Sequence, residues 1–312
     1  MSFRVGVDLG GTKTEAVALG PGDRILARER LPTPRTDYDG IVRTVVDVVA
    51  RVERLAGGRA DGIGIGIPGA LSPATGLVRN ANTVVLIGKP LDRDLEAAFG
   101  REVRVENDAN CFALAEARAG AARGHHVVVG LILGTGAGSG IVVDGRPLVG
   151  PNRIAGEWGH TALPRPSPEE SPGPECYCGR RGCLELWVSG SGLERDHEVV
   201  NGGPPMRGAE IVAAARAGDG AAQATLDRHL DRLGRGLSLI VNILDPDAIV
   251  LGGGLSNLDH LYESLPEATR PHVFSDCFDT PILKNALGDS AGVIGAAWLW
   301  PEPSQPGIRE GD

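Results

Sequence analysis

The sequence lacks the features that mark membrane, secreted and nucleic-acid-binding proteins. No apolar run approaches the roughly 20 residues that span a bilayer, and MSFRVGVDLGG contains no basic segment followed by an apolar leader. The net charge is −9 and the pI is near 5.3, which argues against phosphate-rich partners because they are bound through Lys and Arg. We therefore expect a cytoplasmic protein with a small substrate and no membrane or nucleic-acid partner.

Cysteine is also scarce. Five cysteines in 312 residues do not make a disulfide framework. Three of them, Cys176, Cys178 and Cys183, lie close together and with one histidine would form a closed tetrahedral zinc site, which implies a structural metal. The fourth ligand can be His160, which gives H-x15-C-x-C-x4-C, or one of three other histidines: His125, His126 or His197. We expect the remaining two, Cys111 and Cys277, to be ordinary buried thiols.

Strand and helix patterns alternate along the chain, which indicates an α/β fold. Short apolar strands at 3–9 and 62–67 flank a helical pattern over 39–56. A strand at 127–133 with its glycine turn then repeats the opening plan. These patterns predict two lobes, 1–121 and 122–290, a last helix at 291–300 that packs back on the first lobe, an exposed loop at 164–174 and a flexible tail at 301–312.

Three glycine turns follow apolar strands and could present backbone N–H groups to phosphate. The first is Gly10-Gly11-Thr12-Lys13, the second is Gly134-Thr135-Gly136, and the third contains Gly253-Gly254. None fits the P-loop or the dinucleotide fingerprint. A single turn of this kind more often only closes a hairpin, but three in matching contexts predict a nucleotide site.

Two carboxylates stand where phosphoryl transfer needs them. Asp8 immediately precedes the first glycine turn and could hold Mg²⁺ through water. Asp108 follows Asn107 at the end of a strand, where its carboxylate could accept the proton of an attacking hydroxyl. The alternative for Asp108 is a helix N-cap, a position that Asp and Asn favour.

Together these motifs resemble the ROK family (repressors, open reading frames and kinases), and most resemble its bacterial fructokinase and mannokinase branch. The resemblance runs from about Val5 to Trp300. It rests on seven segments: 8–14, Gly66-Ile67-Pro68-Gly69, 106–111, 133–136, 156–160, 176–185 and 247–254.

The resemblance implies a two-lobed, actin-like ATPase (ribonuclease H-like) fold, with ATP between the lobes on the first two glycine turns and its adenosine near the third. It implies Mg²⁺ with ATP, a structural Zn²⁺ in a loop at 160–183, a homodimer, and fructose as the preferred sugar with mannose also used. Asp108 resembles the general base. The residues that resemble sugar contacts are Gly69, Asn82, Asn107, Asp108, Glu157, His160 and Glu185, and His160 would join the zinc to a sugar hydroxyl.

Two other sugar kinases, a glucokinase and an N-acetylglucosamine kinase, stay open as alternatives. A sugar-responsive ROK repressor is a rival from another class. We disfavour it because Asp8 leaves no room ahead of the first turn for a helix-turn-helix, and because the chain has no basic stripe.

Overall fold

The computed structural model describes residues 2–301, and the predicted tail beyond residue 301 lies outside the described residues. The described chain divides into two compact units. Unit 1 contains residues 2–115, 147–155 and 287–301, and unit 2 contains residues 116–146 and 156–286. Every helix in residues 2–301 is too short or too polar to cross a membrane.

The helices and strands follow the predicted α/β alternation. In the first part of the chain they are β1 Arg4–Leu9, β2 Lys13–Leu19, β3 Ile25–Pro32, α1 Tyr38–Ala56, β4 Gly62–Ile67, β5 Ala70–Leu71, β6 Val78–Arg79, α2 Leu91–Phe99, β7 Val103–Asn107 and α3 Asp108–Arg118. The later elements are β8 Val127–Leu133, β9 Ala137–Val143, β10 Arg146–Pro147, α4 Glu185–Val188, α5 Gly190–Asn201, α6 Gly208–Arg216, α7 Gly220–Leu244, β11 Ala248–Gly252, α8 Asp259–Thr269, β12 Ile282–Lys284 and α9 Ala291–Ala297.

Unit 1 is built on a five-stranded sheet of order β3-β2-β1-β4-β7. Strands β1 and β2 are antiparallel, whereas β1, β4 and β7 run parallel. Helix α9 packs directly against β1 and β4 at two positions that lack side chains. A Cβ at Gly6 would lie 2.0 Å from the Val293 carbonyl oxygen, and a Cβ at Gly64 would lie 1.8 Å from that of Ala296. Glycine at these positions allows the close packing of helix and sheet.

Unit 2 repeats this order with β10-β9-β8-β11-β12. Strands β8 and β9 are antiparallel, and β8, β11 and β12 are parallel. The side chains of Leu131 and Leu251 from the sheet and of Leu233 and Leu237 from α7 belong to one buried core. The long helix α7 therefore provides a rigid support for the segments that lie over this sheet.

The structure corrects two expectations. Cys277 is exposed, because the neighbouring Phe278 takes the buried position in that loop. The loop at 164–174 is not wholly exposed, since the Glu170 side chain is only 8% accessible. Strand β3 and helices α2, α5 and α8 are not among the elements predicted from the sequence. In β3, Arg28 and Arg30 interrupt the apolar pattern because both pair with Glu15 on β2.

Candidate active site and metal centre

The first glycine turn joins β1 to β2 and is held at several points. The Gly10 N–H donates to the Lys13 carbonyl at 3.0 Å. Thr33 Oγ1 donates to the Gly10 carbonyl at 2.8 Å, and Arg35 Nε donates to the Gly11 carbonyl at 2.8 Å. Because the carbonyl oxygens of Gly10 and Gly11 are bound by residues that follow β3, the turn has a fixed shape that can present N–H groups to phosphate.

Lys13 and Asp289 form a weak pair beside this turn. Their charged atoms are 3.7 Å apart and both side chains are exposed. A surface pair of this kind contributes little to stability, so the Lys13 ammonium can turn to a phosphate at small cost.

Asp8 lies near the carboxyl end of β1, two residues before Gly10, in surroundings that disfavour its ionised form. Burial, followed by the Glu15 carboxylate opposite it on β2, raises the pKa of Asp8 from 3.8 to about 6. Glu15 already pairs with two arginines of β3. A bound cation would favour the ionised form of Asp8, and a hard carboxylate oxygen fits Mg²⁺.

Asn107 makes capping contacts at the start of α3. Asn107 Oδ1 accepts from the N–H groups of Ala109 at 2.9 Å and Asn110 at 3.3 Å, and Asn107 Nδ2 donates to the Gly69 carbonyl at 3.2 Å. Asp108 Oδ1 accepts from the N–H of its immediate neighbour Ala109 at 2.8 Å. Asn107 therefore caps the start of α3 and links it to Gly69.

Gly69 contacts both Asn107 and the segment that precedes Asn82, two of the other predicted sugar contacts in unit 1. Its φ is +135°, and a Cβ there would lie 2.7 Å from the Arg79 carbonyl and 3.1 Å from Ala81 Cα. The chain at 79–81 thus packs against Gly69, and Asn82 follows it as an exposed residue. The structure brings Gly69, Asn107 and Asp108 together and leaves Asn82 one step along the adjoining segment.

The second and third glycine turns adjoin within unit 2. Strands β8 and β11 pair in parallel, so their carboxyl ends lie at one sheet edge. Gly253 has φ +78°, and a Cβ there would lie 2.6 Å from the Leu133 carbonyl, one residue before the second turn. The Gly190 N–H donates to the Gly134 carbonyl at 2.7 Å. The second and third glycine turns therefore lie next to each other at this edge of the sheet.

Glu185 lies against the second glycine turn. The Ala137 N–H donates to Glu185 Oε2 at 3.0 Å, and a Cβ at Gly136 would lie 2.5 Å from the same oxygen. A predicted sugar contact thus directly touches a predicted nucleotide turn. Sequence distance hid this contact, because 48 residues separate the two partners.

Glu157 and His160 lie on a short 3-10 segment that is fixed on both sides. A Cβ at Gly159 would lie 2.1 Å from the Ala137 carbonyl of β9, and Trp158 Nε1 donates to the Gly236 carbonyl of α7 at 2.9 Å. The segment therefore runs between strand and helix with Glu157 and His160 partly exposed. Rigid support of this kind suits residues that orient a ligand.

His160, Cys176, Cys178 and Cys183 converge as a candidate metal centre. Their ligand atoms all lie within 4.8 Å of one another. His160 Nδ1 is 3.6 Å from Cys176 Sγ, and Cys178 Sγ is 3.5 Å from Cys183 Sγ. Three sulfurs and one imidazole nitrogen at such spacing fit a closed zinc site. The geometry favours His160 over the three alternative histidines.

Tyr177 is a neighbour of this centre that the sequence analysis passed over. Its hydroxyl lies 2.8 Å from His160 Nε2, and the two rings meet edge to face with centroids 5.0 Å apart. The position between two metal-type cysteines was the available signal.

A buried charge cluster anchors the loop that precedes the cysteines. Arg232 Nε donates to Glu170 Oε1 at 2.7 Å, and Arg235 donates to both Glu170 oxygens at 2.8 and 3.0 Å. Arg232 also donates to Asp196 Oδ1 at 2.6 Å. Burial alone would raise the pKa of Glu170, but the hydrogen bonds from Arg235 and Arg232 hold it at about 2. The loop is therefore tied to α7 and α5.

The fold is that of the two-lobed, actin-like ATPases in the form found in sugar kinases. The predicted fold class is confirmed. The chain belongs to the ROK family, whose sequence model matches residues 4–303.

Individual relatives cover almost the whole chain. It is 40% identical over 301 residues to the N-acetyl-D-glucosamine kinase of Yersinia enterocolitica, with 94% of this chain and 98% of that protein covered. The N-acetyl-D-glucosamine kinase of Haemophilus influenzae is also 40% identical, over 300 residues, with 95% and 98% covered.

Solved structures give a similar result. The ROK hexokinase from Thermus thermophilus shares 37% identity with a TM-score of 0.84, over 95% of this chain and 96% of that chain. The ROK family glucokinase from Streptomyces griseus, solved with glucose and AMPPNP, shares 31% identity with a TM-score of 0.77, over 95% and 98%.

These relatives support the prediction of an ATP-dependent sugar kinase, and they do not support the fructokinase and mannokinase branch. The expected sugar contacts do not distinguish one hexose from another. Carboxylates and an imidazole, such as those of Glu157, Glu185 and His160, can bind hydroxyls of any hexose, so they cannot report which sugar fits.

Proposed function

We propose that this protein is an ATP-dependent kinase of N-acetyl-D-glucosamine. The observation that carries the proposal is similarity over nearly the full length to N-acetyl-D-glucosamine kinases of two organisms. The glycine turns, Asp8 and Asp108 supply the parts that phosphoryl transfer requires. Fructose, our first expectation, is replaced by this sugar.

In this proposal Asp108 accepts the proton of the sugar hydroxyl that attacks the γ-phosphate. Gly10 has no side chain and lets the phosphates approach the backbone, the N–H groups of Gly11 and Thr12, with the Lys13 ammonium, bind phosphate oxygens, and Asp8 orients water around Mg²⁺. The Mg²⁺ ion supplies charge neutralisation on the phosphates when bound. Gly134, Thr135, Gly136, Gly253 and Gly254 contribute the remaining nucleotide contacts.

The proposed sugar contacts are side chains that can bond hydroxyls, together with one backbone position. They are Gly69, Asn82, Asn107, Asp108, Glu157, His160 and Glu185. Zinc on His160, Cys176, Cys178 and Cys183 would hold the imidazole in place, so metal and sugar recognition share one residue. A homodimer belongs to the same proposal, and light scattering of the purified protein tests it.

Glucose is a second candidate substrate. It is favoured by the hexokinase and glucokinase structures that match this chain at 37% and 31% identity. The two sugars differ at the 2-position, where one carries a hydroxyl and the other an N-acetyl group. A pocket that binds one substituent with buried polar groups rejects the other strongly.

Steady-state kinetics with N-acetyl-D-glucosamine, glucose, mannose and fructose test the proposal, with ATP consumption as the readout. We expect the highest kcat/KM for N-acetyl-D-glucosamine. A higher value for glucose would establish the second candidate. Absence of sugar-dependent ATP consumption with all four would contradict a kinase acting on these sugars.

A further inference from the structure

Tyr177 is held by the loop that carries the metal ligands. It lies between Cys176 and Cys178, and its hydroxyl is 2.8 Å from His160 Nε2. Two backbone hydrogen bonds fix the shape of this loop. The Cys176 N–H donates to the Arg180 carbonyl at 2.8 Å, and the Gly179 N–H donates to the Cys176 carbonyl at 2.9 Å. The phenol is therefore presented to the imidazole by a defined turn.

The two nitrogens of His160 face different partners. Nδ1 faces the Cys176 sulfur at 3.6 Å, and Nε2 faces the Tyr177 hydroxyl. A nitrogen that binds metal must use its lone pair, so with Nδ1 on the ion the ring proton resides on Nε2. In that tautomer Nε2–H donates and the tyrosine oxygen accepts.

One N–H group cannot make a full-strength hydrogen bond to two acceptors at once. The proposed function gives His160 a sugar hydroxyl as partner, and its only nitrogen on the side away from the cysteines is Nε2. We propose that the Tyr177 hydroxyl takes the place of a sugar hydroxyl on His160 while the sugar is absent, and that sugar binding displaces it. This inference rests on the proposed function.

The surroundings of Tyr177 fit a partner that can be exchanged. Its side chain is 65% exposed, so the ring can rotate toward solvent without breaking a packed core. Loss of solvent around the hydroxyl, then the carboxylates of Glu185 and Glu157, raises the pKa of Tyr177. The hydroxyl also contacts His160, which is itself one of the residues proposed to bind the sugar.

The inference has two linked consequences. Without sugar, the Tyr177 hydroxyl supports the metal-binding tautomer of His160, so Tyr177→Phe should weaken zinc binding. With sugar bound, a sugar hydroxyl provides the same support, so the weakening should disappear. Thermodynamic linkage then requires zinc to strengthen sugar binding by the same additional factor in the variant. Sugar should also bind the zinc-loaded variant more tightly, because it no longer has to displace the hydroxyl.

The test measures Zn²⁺ affinity by competition with a chelator, with and without saturating N-acetyl-D-glucosamine, and sugar affinity by calorimetry. One net hydrogen bond corresponds to roughly a 2- to 10-fold change. We expect Tyr177→Phe to lose zinc affinity by that factor only in the absence of sugar, and to gain sugar affinity by that factor at unchanged kcat. Tyr38→Phe is the matched control, since its hydroxyl bonds Asp94 in unit 1.

Several results would overturn the inference. Sugar affinity that is unchanged or lower in Tyr177→Phe means that the hydroxyl is not displaced, and a lower value would make Tyr177 a direct sugar contact. A zinc defect that persists with saturating sugar also contradicts exchange. If the wild-type protein neither binds nor phosphorylates the sugar, the proposed function fails and the inference fails with it, whereas an active wild type with an unaltered variant overturns the inference alone.

Discussion

The hairpin β1–β2 of unit 1 and the hairpin β8–β9 of unit 2 occupy the same position in two sheets of the same order. Each closes around a glycine turn. The second residue pair before the turn occupies the same position in both hairpins. In unit 1 that pair is Asp8 and Glu15, and in unit 2 it is Ile132 and Gly138. The backbone plan is repeated, but the charges are not.

The two units differ in where their charged residues lie. Unit 1 keeps two carboxylates beside its glycine turn, and one of them has a raised pKa. Unit 2 has a cluster of buried charges that anchors the loop preceding the cysteines, where Glu170 is bonded to two arginines of α7. We therefore expect charge changes at Asp8 and Asp108 to alter turnover, and changes around the metal loop to alter metal content and stability.

Asp108→Asn gives the largest expected effect. Loss of the proposed general base should lower kcat on the order of 10² to 10⁴, with binding of ATP and sugar nearly retained. Steady-state kinetics and calorimetry measure the two quantities. Asp61→Asn, an exposed aspartate of the same unit, is the control. A variant that keeps more than about a tenth of wild-type kcat would argue against this role.

Cys178→Ser should disrupt the candidate zinc site in unit 2. Removing one thiolate ligand opens the site, so bound zinc should fall from about one ion per chain to nearly none, with a lower unfolding temperature. Elemental analysis and calorimetry provide the readouts. Cys277→Ser removes another exposed thiol and should leave both unchanged. Full zinc content in Cys178→Ser would show that the ligand set is wrong.

Glu170→Gln should destabilise unit 2 without removing a metal ligand. Breaking a buried pair leaves arginine charge uncompensated and costs about 3 kcal/mol, measurable by urea unfolding at neutral pH. Glu169→Gln, at the neighbouring exposed position, should change stability by less than about 0.5 kcal/mol.

The pH dependence of this effect has a definite sign. Because the pKa of Glu170 is lowered from 4.5 to about 2 in the folded state, its stabilisation is present above pH 4.5 and is lost as the pH falls toward 2. The difference between wild type and Glu170→Gln should therefore shrink over that range. A difference that stays constant would contradict the ionised buried pair.

The smallest effect is the pH response of Asp8. Its pKa of about 6 means that protonation below pH 6 removes the carboxylate that would hold Mg²⁺. The kcat/KM for Mg-ATP should fall about tenfold per pH unit there. In Asp8→Asn the activity should be low and this acidic limb should be missing. An unchanged limb in the variant would assign it to another group.

The features that could be predicted from the sequence are those that depend on residues close together in the chain. Glycine turns after apolar strands, the helical period of α1 and the cysteine spacing can all be read within a few residues. The Glu170 anchor could not be, because its arginines lie 62 and 65 residues away and the Pro-rich context resembles an exposed loop. Strand β3 was missed because its arginines make sense only beside Glu15. The relatives do not support the expected fructose preference, and the hydroxyl-binding residues could not decide among sugars because they are shared among hexoses.

A competition experiment tests the proposed activity most directly. The protein is incubated with equal concentrations of N-acetyl-D-glucosamine, glucose and fructose and with limiting ATP, and the phosphorylated products are quantified by NMR. Because competing substrates are consumed in the ratio of their kcat/KM values, the product ratio reports specificity without separate rate constants. The account predicts that N-acetyl-D-glucosamine phosphate dominates; a product pool dominated by fructose phosphate would contradict it.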